Sequence, residues 1–237
     1  FSMADAALDA FKGQDKFKGN PFELRTLMVL YPNKMHVVTV QGNGINQLTD
    51  FKGKRISTDE PNSGTEVMSL RLLEAAGIAK DVDRERLSVA EGVNAMKDRK
   101  IDGLIWVGGV PTAAITDLAA TPGITIHLLD HAQYADAMNK KWGPLYVKGI
   151  IPAGSYKGQD KDVTNIDVWN LLVADKKMSD QMAYTIVKTL MEHKDDLVAV
   201  HREAKNITLE AQANGSPIPM HPGARKYWEE RGVKFAN

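Results

Sequence analysis

The chain has 237 residues, 43% of them hydrophobic and 25% charged, which is typical of a globular protein with one large or two small domains. Basic and acidic residues both number 30, so the formal net charge is zero and nothing favours nucleic acid or an anionic membrane as a partner. The absence of cysteine excludes disulfides, thiolate nucleophiles and zinc-thiolate sites. No apolar run approaches the roughly twenty residues of a membrane-spanning helix.

The first fifty residues predict one helix and two strands. Apolar residues at helical spacing predict a helix over 2–11, and Gly13 is well placed to follow its end. Alternating and β-branched residues over 24–39 predict a pair of strands, interrupted at Pro32. The polar, glycine-rich segment 41–46 predicts a loop.

From residue 51 onward, strand and helix patterns alternate. Strands are predicted at 54–58, 101–107, 124–128 and 163–174, and helices at 65–76, 111–120, 131–141 and 179–193. Ser88 and Glu91 have the spacing of a capping box that opens another helix. The helix at 179–193 is predicted to be amphipathic, with Met182, Ile186 and Leu190 at helical spacing. The remainder predicts helices, the last opening at Pro222 with His221 as its cap. This alternation predicts an α/β fold with a mainly parallel sheet.

The turn before the helix at 65–76 is a candidate anion site, formed by Asn62, Ser63, Gly64 and Thr65. The first amides of a helix lack intrahelical partners and point away from the positive end of its dipole, so they bind carboxylate or phosphate. Glycine allows close approach of a ligand, and the hydroxyls add donors. An ordinary N-cap made by Asn62 or Ser63 explains the same residues, and the spacing leaves both interpretations open.

A second strand, glycine loop and helix unit follows at Gly108, Gly109, Val110 and Pro111. Trp106 precedes this loop at the carboxyl edge of the predicted sheet, where open α/β folds bind ligands, but a core aromatic residue explains it equally. Tyr156 could offer its hydroxyl to a ligand or pack at a hinge. Arg55 and Arg71 are the clearest candidates for a carboxylate clamp, although both could be surface residues.

Several motifs in this order resemble the TAXI-type solute receptors of TRAP transporters, over nearly the whole chain. The resemblance rests on five groups of residues in this order: Leu48 with residues 50–56; Pro61 with residues 63–66; residues 102–104 with Gly109 and Pro111; Ile151, Pro152, Gly154, Tyr156 and Gly158; and Pro219 with residues 221–224 and 227–232. It implies a bilobed periplasmic-binding-protein fold of type II. The ligand it implies is a small organic anion or amino acid, glutamate-like or dicarboxylate-like, which is delivered to a TRAP membrane permease from the periplasm.

The resemblance also implies a division into lobes. Residues 1–39 and 157–237 would form the first lobe and residues 40–156 the second, with hinge segments at 41–46 and 153–157. Members of this family carry a signal peptide and a first strand, loop and helix that do not precede Phe1 here. We therefore expect a first lobe that is truncated at its N-terminus by about thirty residues, the usual size of a βα unit.

No catalytic, metal or cofactor site is predicted. A serine hydrolase elbow needs glycine two residues before its nucleophile, and Pro61 occupies that place before Ser63. His127 and His131 are four residues apart but fall on a strand and a helix start, so they do not predict zinc geometry. An enzyme on the same scaffold and a sensor domain without transport remain the alternatives to a receptor.

Overall fold

The computed structural model describes residues 1–235, and these form strands and helices that alternate over the middle of the chain and end in a run of helices. The strands, in chain order, are β1 (Ser2–Met3), β2 (Leu24–Val40), β3 (Arg55–Ser57), β4 (Asp83–Glu85), β5 (Gly103–Gly108), β6 (Ile126–Leu128), β7 (Tyr146–Ile151) and β8 (Val163–Asp175). The α-helices are α1 (Ala4–Lys12), α2 (Gly64–Ala75), α3 (Val89–Lys97), α4 (Ala113–Ala120), α5 (Ala135–Trp142), α6 (Asp180–Glu192), α7 (Lys194–Val200), α8 (Leu209–Asn214) and α9 (Pro222–Glu230). None of the described helices is both long and apolar enough to cross a bilayer.

The chain divides into two compact units. The second is Asn33–Asp167, and the first combines Phe1–Pro32 with the described residues from Val168 onward. The chain passes between the units within β2 and again within β8. The segments 41–46 and 153–157, predicted as hinges, lie inside the second unit. The division into lobes at 39/40 and 156/157 stays a prediction.

The second unit contains a mixed sheet. β3 pairs in parallel with β4 and with β5, and its Ile56 lies opposite Gly103 of β5. β2 runs antiparallel to β5 and to β6, so that Val38 has Leu104 and Leu128 as its two partners. The α/β class is confirmed, but the sheet is mixed rather than mainly parallel because β2 and β6 add antiparallel pairs.

Helices cover this sheet with an apolar core. Val93 and Met96 of α3, Ile115 and Leu118 of α4 and Leu104 of β5 belong to one buried cluster, each at most 5% exposed. The capping box predicted at the start of α3 is confirmed, since Ser88 Oγ accepts the Glu91 amide while the Glu91 carboxylate accepts the Ser88 amide. Local capping fixes where α3 begins, and packing fixes the face it buries.

The first unit packs mainly helices around the first half of β2. Trp228 of α9 is fully buried there and donates its indole N–H to the carbonyl of Leu27 at 3.0 Å. β1 pairs antiparallel with β8 through Ser2 and Leu171. His221 caps α9 as predicted, accepting the Gly223 amide through Nδ1. Gly13 ends α1 with a φ of 63°, a left-handed conformation that glycine adopts without strain.

The elements differ from the predictions in several places. Pro32 does not interrupt β2, because its fixed φ is compatible with extended backbone at a partly exposed position. α4 begins at Ala113 rather than Pro111, and the strands β4 and β7 were not predicted. Met182 is 54% exposed, because α6 buries Ala183 and Val187 instead. The other two residues of the predicted pattern, Ile186 and Leu190, are partly buried against the core of the first unit. One residue of rotation around a helix moves a side chain by about 100°, which suffices to exchange these faces.

Candidate functional site

The ends of β3 and β5 bring the two predicted loops together in the second unit. These strands are parallel neighbours, so their carboxyl ends meet at one edge of the sheet. The Val107 amide donates to Thr65 Oγ1 at 3.3 Å, which ties the start of α2 to the end of β5. This hydrogen bond joins the two loops, residues 59–66 and 106–112, which together make up the candidate site. Its assignment to a ligand remains a prediction.

The first backbone amides of α2 are only partly used by the N-cap. Ser63 is the N-cap, and its hydroxyl accepts the Glu66 amide at 3.0 Å, as the capping interpretation requires. The amides of Gly64 and Thr65 donate to no partner among residues 1–235. The cap thus uses one of the first amides and leaves two that can bind an anion.

The Glu66 carboxylate also lies at this turn. It accepts the Asn62 amide at 2.8 Å through Oε2 and pairs with Arg84 Nη2 at 2.9 Å through Oε1. The carboxylate side chain is 7% exposed, and Arg86 lies 3.7 Å away at the surface. Asn62 is held by its backbone in a turn with a φ of 70°. The Asn62 amide is therefore committed to the protein itself and is not free for a ligand.

The loop after β5 is closed by its own hydrogen bonds. Trp106 Nε1 donates to Thr112 Oγ1 at 3.1 Å, and that hydroxyl donates to the Gly109 carbonyl at 2.7 Å. A Cβ at Gly108 would lie 2.6 Å from Trp106 Nε1, so glycine is required where the indole crosses the backbone. Trp106 is half-buried and packs against the core of the second unit. Val110 precedes Pro111 and does not begin the helix, because the N-cap of α4 is Thr112.

Tyr156 is buried, and its hydroxyl is engaged by the protein. It accepts the Thr112 amide at 2.9 Å and lies 2.9 Å from His36 Nε2. His36 Nδ1 lies 3.0 Å from the carbonyl of Lys34, which can only accept, so Nδ1 carries the proton. Nε2 therefore accepts from the Tyr156 hydroxyl. The prediction that Tyr156 offers this hydroxyl to a ligand is untested, although both of these hydrogen bonds already use it.

Burial sets the charge of this pair. Desolvation of the fully buried imidazole is the largest effect on His36 and lowers its pKa to about 3. Burial also raises the pKa of the Tyr156 phenol above its ordinary value. Both groups are uncharged at neutral pH and act as a fixed brace between β2, the loop after β7 and the start of α4. The position of His36 between apolar Met35 and Val37 in a strand is the sequence signal for its burial.

The two arginines have different environments. Arg71 is 4% exposed, so its interpretation as a surface residue is wrong. It donates to the Tyr146 hydroxyl at 2.8 Å, and its guanidinium lies 5.4 Å from the centre of the Trp142 ring. Arg55 is exposed and lies 3.4 Å from Asp102. Neither contact directs the guanidinium to the loops of the candidate site.

Two cavities of the second unit lie away from these loops. The larger measures about 610 Å³ and is lined by Gln41, Lys97, Arg99 and the segment 121–125 among others. A second of about 330 Å³ is lined by Ile126–Leu128 and residues 158–163 among others. Neither includes a residue of the predicted site. Within the described part of the chain, no three metal-ligating side chains cluster in a way that could hold an ion.

Comparison with known proteins gives one family and a set of similar folds. The model of the NMT1-like family matches residues 1–232. The periplasmic aliphatic sulphonate binding protein SsuA from Escherichia coli is similar with a TM-score of 0.48 and 12% identity, over 88% of this chain and 59% of that one. A periplasmic sulfonate-binding protein from Methylobacillus flagellatus has a TM-score of 0.47 and 12% identity, over 96% of this chain and 62% of that one.

An arginine transport system periplasmic binding protein from Legionella pneumophila has a TM-score of 0.41 and 13% identity. That likeness covers 78% of this chain and 66% of the other. The chain thus spans about three fifths of the length of the two sulphonate-binding proteins.

Proposed function

This chain belongs to the NMT1-like family, and we propose that it is a solute-binding protein that delivers a small carboxylate-bearing molecule to a membrane transporter. The free amides of Gly64 and Thr65 at the carboxyl edge of the sheet are the observation that carries the proposal. Two adjacent N–H groups at the positive end of a helix dipole stabilise a negative group without a counter-charge.

The neighbouring residues support a binding rather than a catalytic role. Trp106 presents a half-buried aromatic surface beside this edge, and its N–H is already satisfied by Thr112. Glu66 is held by Asn62 and Arg84, and His36 is buried as a neutral group. These engaged side chains shape a rigid surface and offer no free general base. The proposed protein binds its solute and releases it unchanged.

The finer assignment follows the motif resemblance. We propose a receptor of the TAXI type that acts in the periplasm and delivers a glutamate-like or dicarboxylate-like solute to a TRAP permease. Pro61 with residues 63–66, and Gly109 with Pro111, belong to both the resemblance and the proposed binding surface. A neighbouring gene for a TRAP membrane subunit would support this assignment over other transporter classes.

Ligand binding can be tested with the chain as it stands. Thermal unfolding is measured against a panel of dicarboxylates, amino acids and sulfonates, because a solute that binds only the folded state raises the melting temperature. A rise of a few degrees with one class, confirmed by calorimetry, supports the proposal. Unchanged unfolding throughout the panel contradicts it.

A substitution at the helix start tests the location. Gly64→Val places a branched side chain beside the free amides and should weaken binding by about tenfold or more while the fold persists. The first residue of α3 is already a valine, Val89, so this side chain is compatible with a helix start. Leu209→Val at the first position of α8 serves as the control. Equal affinities for Gly64→Val and the unsubstituted chain would exclude this site.

A further inference from the structure

The side-chain amide of Gln159, in the loop after β7, is buried and only half satisfied. Its Oε1 accepts from no donor within residues 1–235. Its Nε2 lies 3.0 Å from the carbonyl of Pro152, 3.1 Å from that of Lys161 and 3.3 Å from that of Ile151. Carbonyls only accept, so these contacts fix the orientation of the amide. A buried amide oxygen without a donor is unfavourable and calls for a donor from outside the chain.

Gln159 also lines the smaller cavity of the second unit, which measures about 330 Å³. That volume falls within the range of sites for small molecules. Two other buried side-chain atoms of the described residues lack a partner, Ser69 Oγ and Asn165 Oδ1, but their residues line neither cavity. At Gln159 alone of these three, an unsatisfied acceptor belongs to a residue that borders a space for a ligand.

The lining of this cavity carries an excess of negative charge. It includes three aspartates, Asp130, Asp160 and Asp162, and one basic residue, Lys161. Lys161 forms no ion pair with any of the three, or with another residue of the described chain. The cavity therefore favours a cationic ligand over an anionic one.

Two of these carboxylates are held in position through one oxygen each. The amide and the hydroxyl of Thr164 donate to Asp130 Oδ1 at 2.7 and 2.6 Å. The Ala153 amide donates to Asp162 Oδ1 at 2.8 Å. Oδ2 of both residues accepts from no donor within residues 1–235, so each carboxylate keeps an oxygen that a ligand can use.

We propose that this cavity binds a small organic ammonium ion. Its N–H groups donate to Gln159 Oε1 and to a carboxylate of the lining, and these acceptors suit a charged donor. A metal ion fits less well, because no three metal-ligating side chains of the described residues cluster around one point. The cavity shares no residue with the loops 59–66 and 106–112, so this proposal is independent of the proposed solute site.

Calorimetry at pH 7 tests the proposal with matched probes. Ethanolamine is compared with ethylene glycol, and putrescine with 1,4-butanediol, which have the same length without the charge. Tetramethylammonium has the charge but no N–H group, and calcium chloride supplies a metal ion alone. At least one primary amine should bind about ten- to a hundredfold more tightly than all of these controls, as expected for charge-assisted hydrogen bonds.

Variants of the lining locate the binding. Changing the three aspartates of the lining to asparagine keeps an acceptor for Thr164 and Ala153 but removes the charge, and should weaken amine binding about tenfold or more. The control changes three exposed aspartates of the same unit that lie outside the cavity: Asp83, Asp98 and Asp136. This control removes the same net charge and should leave amine binding intact.

Gln159→Met removes the acceptor at nearly constant length and should also weaken amine binding about tenfold or more. Its melting temperature reports whether the loop survives the loss of Nε2. If this variant does not fold, the aspartate variants decide alone.

The outcomes are distinct from those of the solute site. Equal affinity of the amines in the lining variant and its control, or amine binding no tighter than that of the diols, overturns the proposal. Binding of calcium with no binding of amines overturns it in favour of a metal site. Binding of no probe means that solvent alone satisfies Gln159 Oε1 and also overturns it. None of these results changes the receptor proposal, which Gly64→Val tests separately.

Discussion

The hydroxyl oxygen of Tyr156 lies 2.9 Å from Nε2 of His36, a residue 120 positions earlier in the chain. Their rings meet edge to face with centroids 5.8 Å apart. The same hydroxyl accepts the Thr112 amide, so one buried oxygen joins three segments of the second unit. Because the loop after β5 is part of the candidate site, this oxygen holds the site in place.

Tyr156→Phe should destabilise the protein by about 1–3 kcal/mol, because it leaves the His36 acceptor and the Thr112 donor without their partner. Denaturant unfolding measures this loss. Tyr184→Phe is the matched control, since that hydroxyl bonds to Glu230 at the surface and its removal should cost less than about 0.5 kcal/mol. Equal losses of unfolding free energy in the two variants would show that the buried hydrogen bonds of Tyr156 do not stabilise the fold.

The stability of the protein should fall as the pH decreases from about 6.5. The pKa values of His36 and His131 are lowered from 6.5 to about 3 and about 4, chiefly by desolvation. Below pH 6.5 the imidazoles of His36 and His131 become protonated in the unfolded chain but stay neutral in the folded chain. Each histidine then contributes a slope of up to about 1.4 kcal/mol per pH unit, which persists until the folded pKa is reached.

Unfolding free energies at pH 7, 6 and 5 give this slope directly. His131→Gln should reduce it, whatever its effect on absolute stability, because the variant has one fewer buried imidazole. His193→Gln, at an exposed position, should reduce it less. A slope in His131→Gln as steep as in the unsubstituted chain would show that the buried histidine is not responsible.

Gly149→Ala should destabilise the second unit by about 1–3 kcal/mol, the usual cost of overpacking. A Cβ at this position would lie 2.4 Å from Asp167 Oδ2. The Asp167 carboxylate cannot move away without breaking two hydrogen bonds. Asn165 Nδ2 donates to its Oδ1 at 2.7 Å, and Lys34 Nζ donates to its Oδ2 at 3.0 Å.

Gly92→Ala is the matched control, measured by the same denaturant unfolding. Its Cβ would meet Leu104 at 3.4 Å, an ordinary contact, within helix α3. The variant should be stabilised by about 0.5–1 kcal/mol, because alanine favours a helix over glycine. A loss for Gly92→Ala as large as that for Gly149→Ala would contradict the steric argument.

Glu66→Gln should destabilise the protein by about 1–3 kcal/mol, because it removes the charge that partners Arg84 at a buried position. Thermal and denaturant unfolding report the change. Glu74→Gln in the same helix removes an exposed partner of Lys141 and should cost less than about 1 kcal/mol. If the two losses agree, the Glu66 pair acts as a surface ion pair.

Local chemistry determined much of this protein from its sequence. The capping box of Ser88 and Glu91, the glycine that ends α1 and the histidine that caps α9 were predicted because each joins residues within three positions. The α/β class followed from the alternating patterns. The two loops of the candidate site were found because a strand, a glycine turn and a helix start are adjacent in the chain.

Only the tertiary structure decided how these pieces meet. β2 continues through Pro32 and pairs antiparallel with β5, and β7 forms although its own residues do not predict it, because strand pairing depends on partners distant in the chain. The burial of Arg71 depends on Tyr146, 75 positions later in the chain. Sequence spacing predicts helix caps and turns, because these form between residues close together in the chain. Burial and strand pairing depend on contacts between distant residues, which exist only in the folded chain.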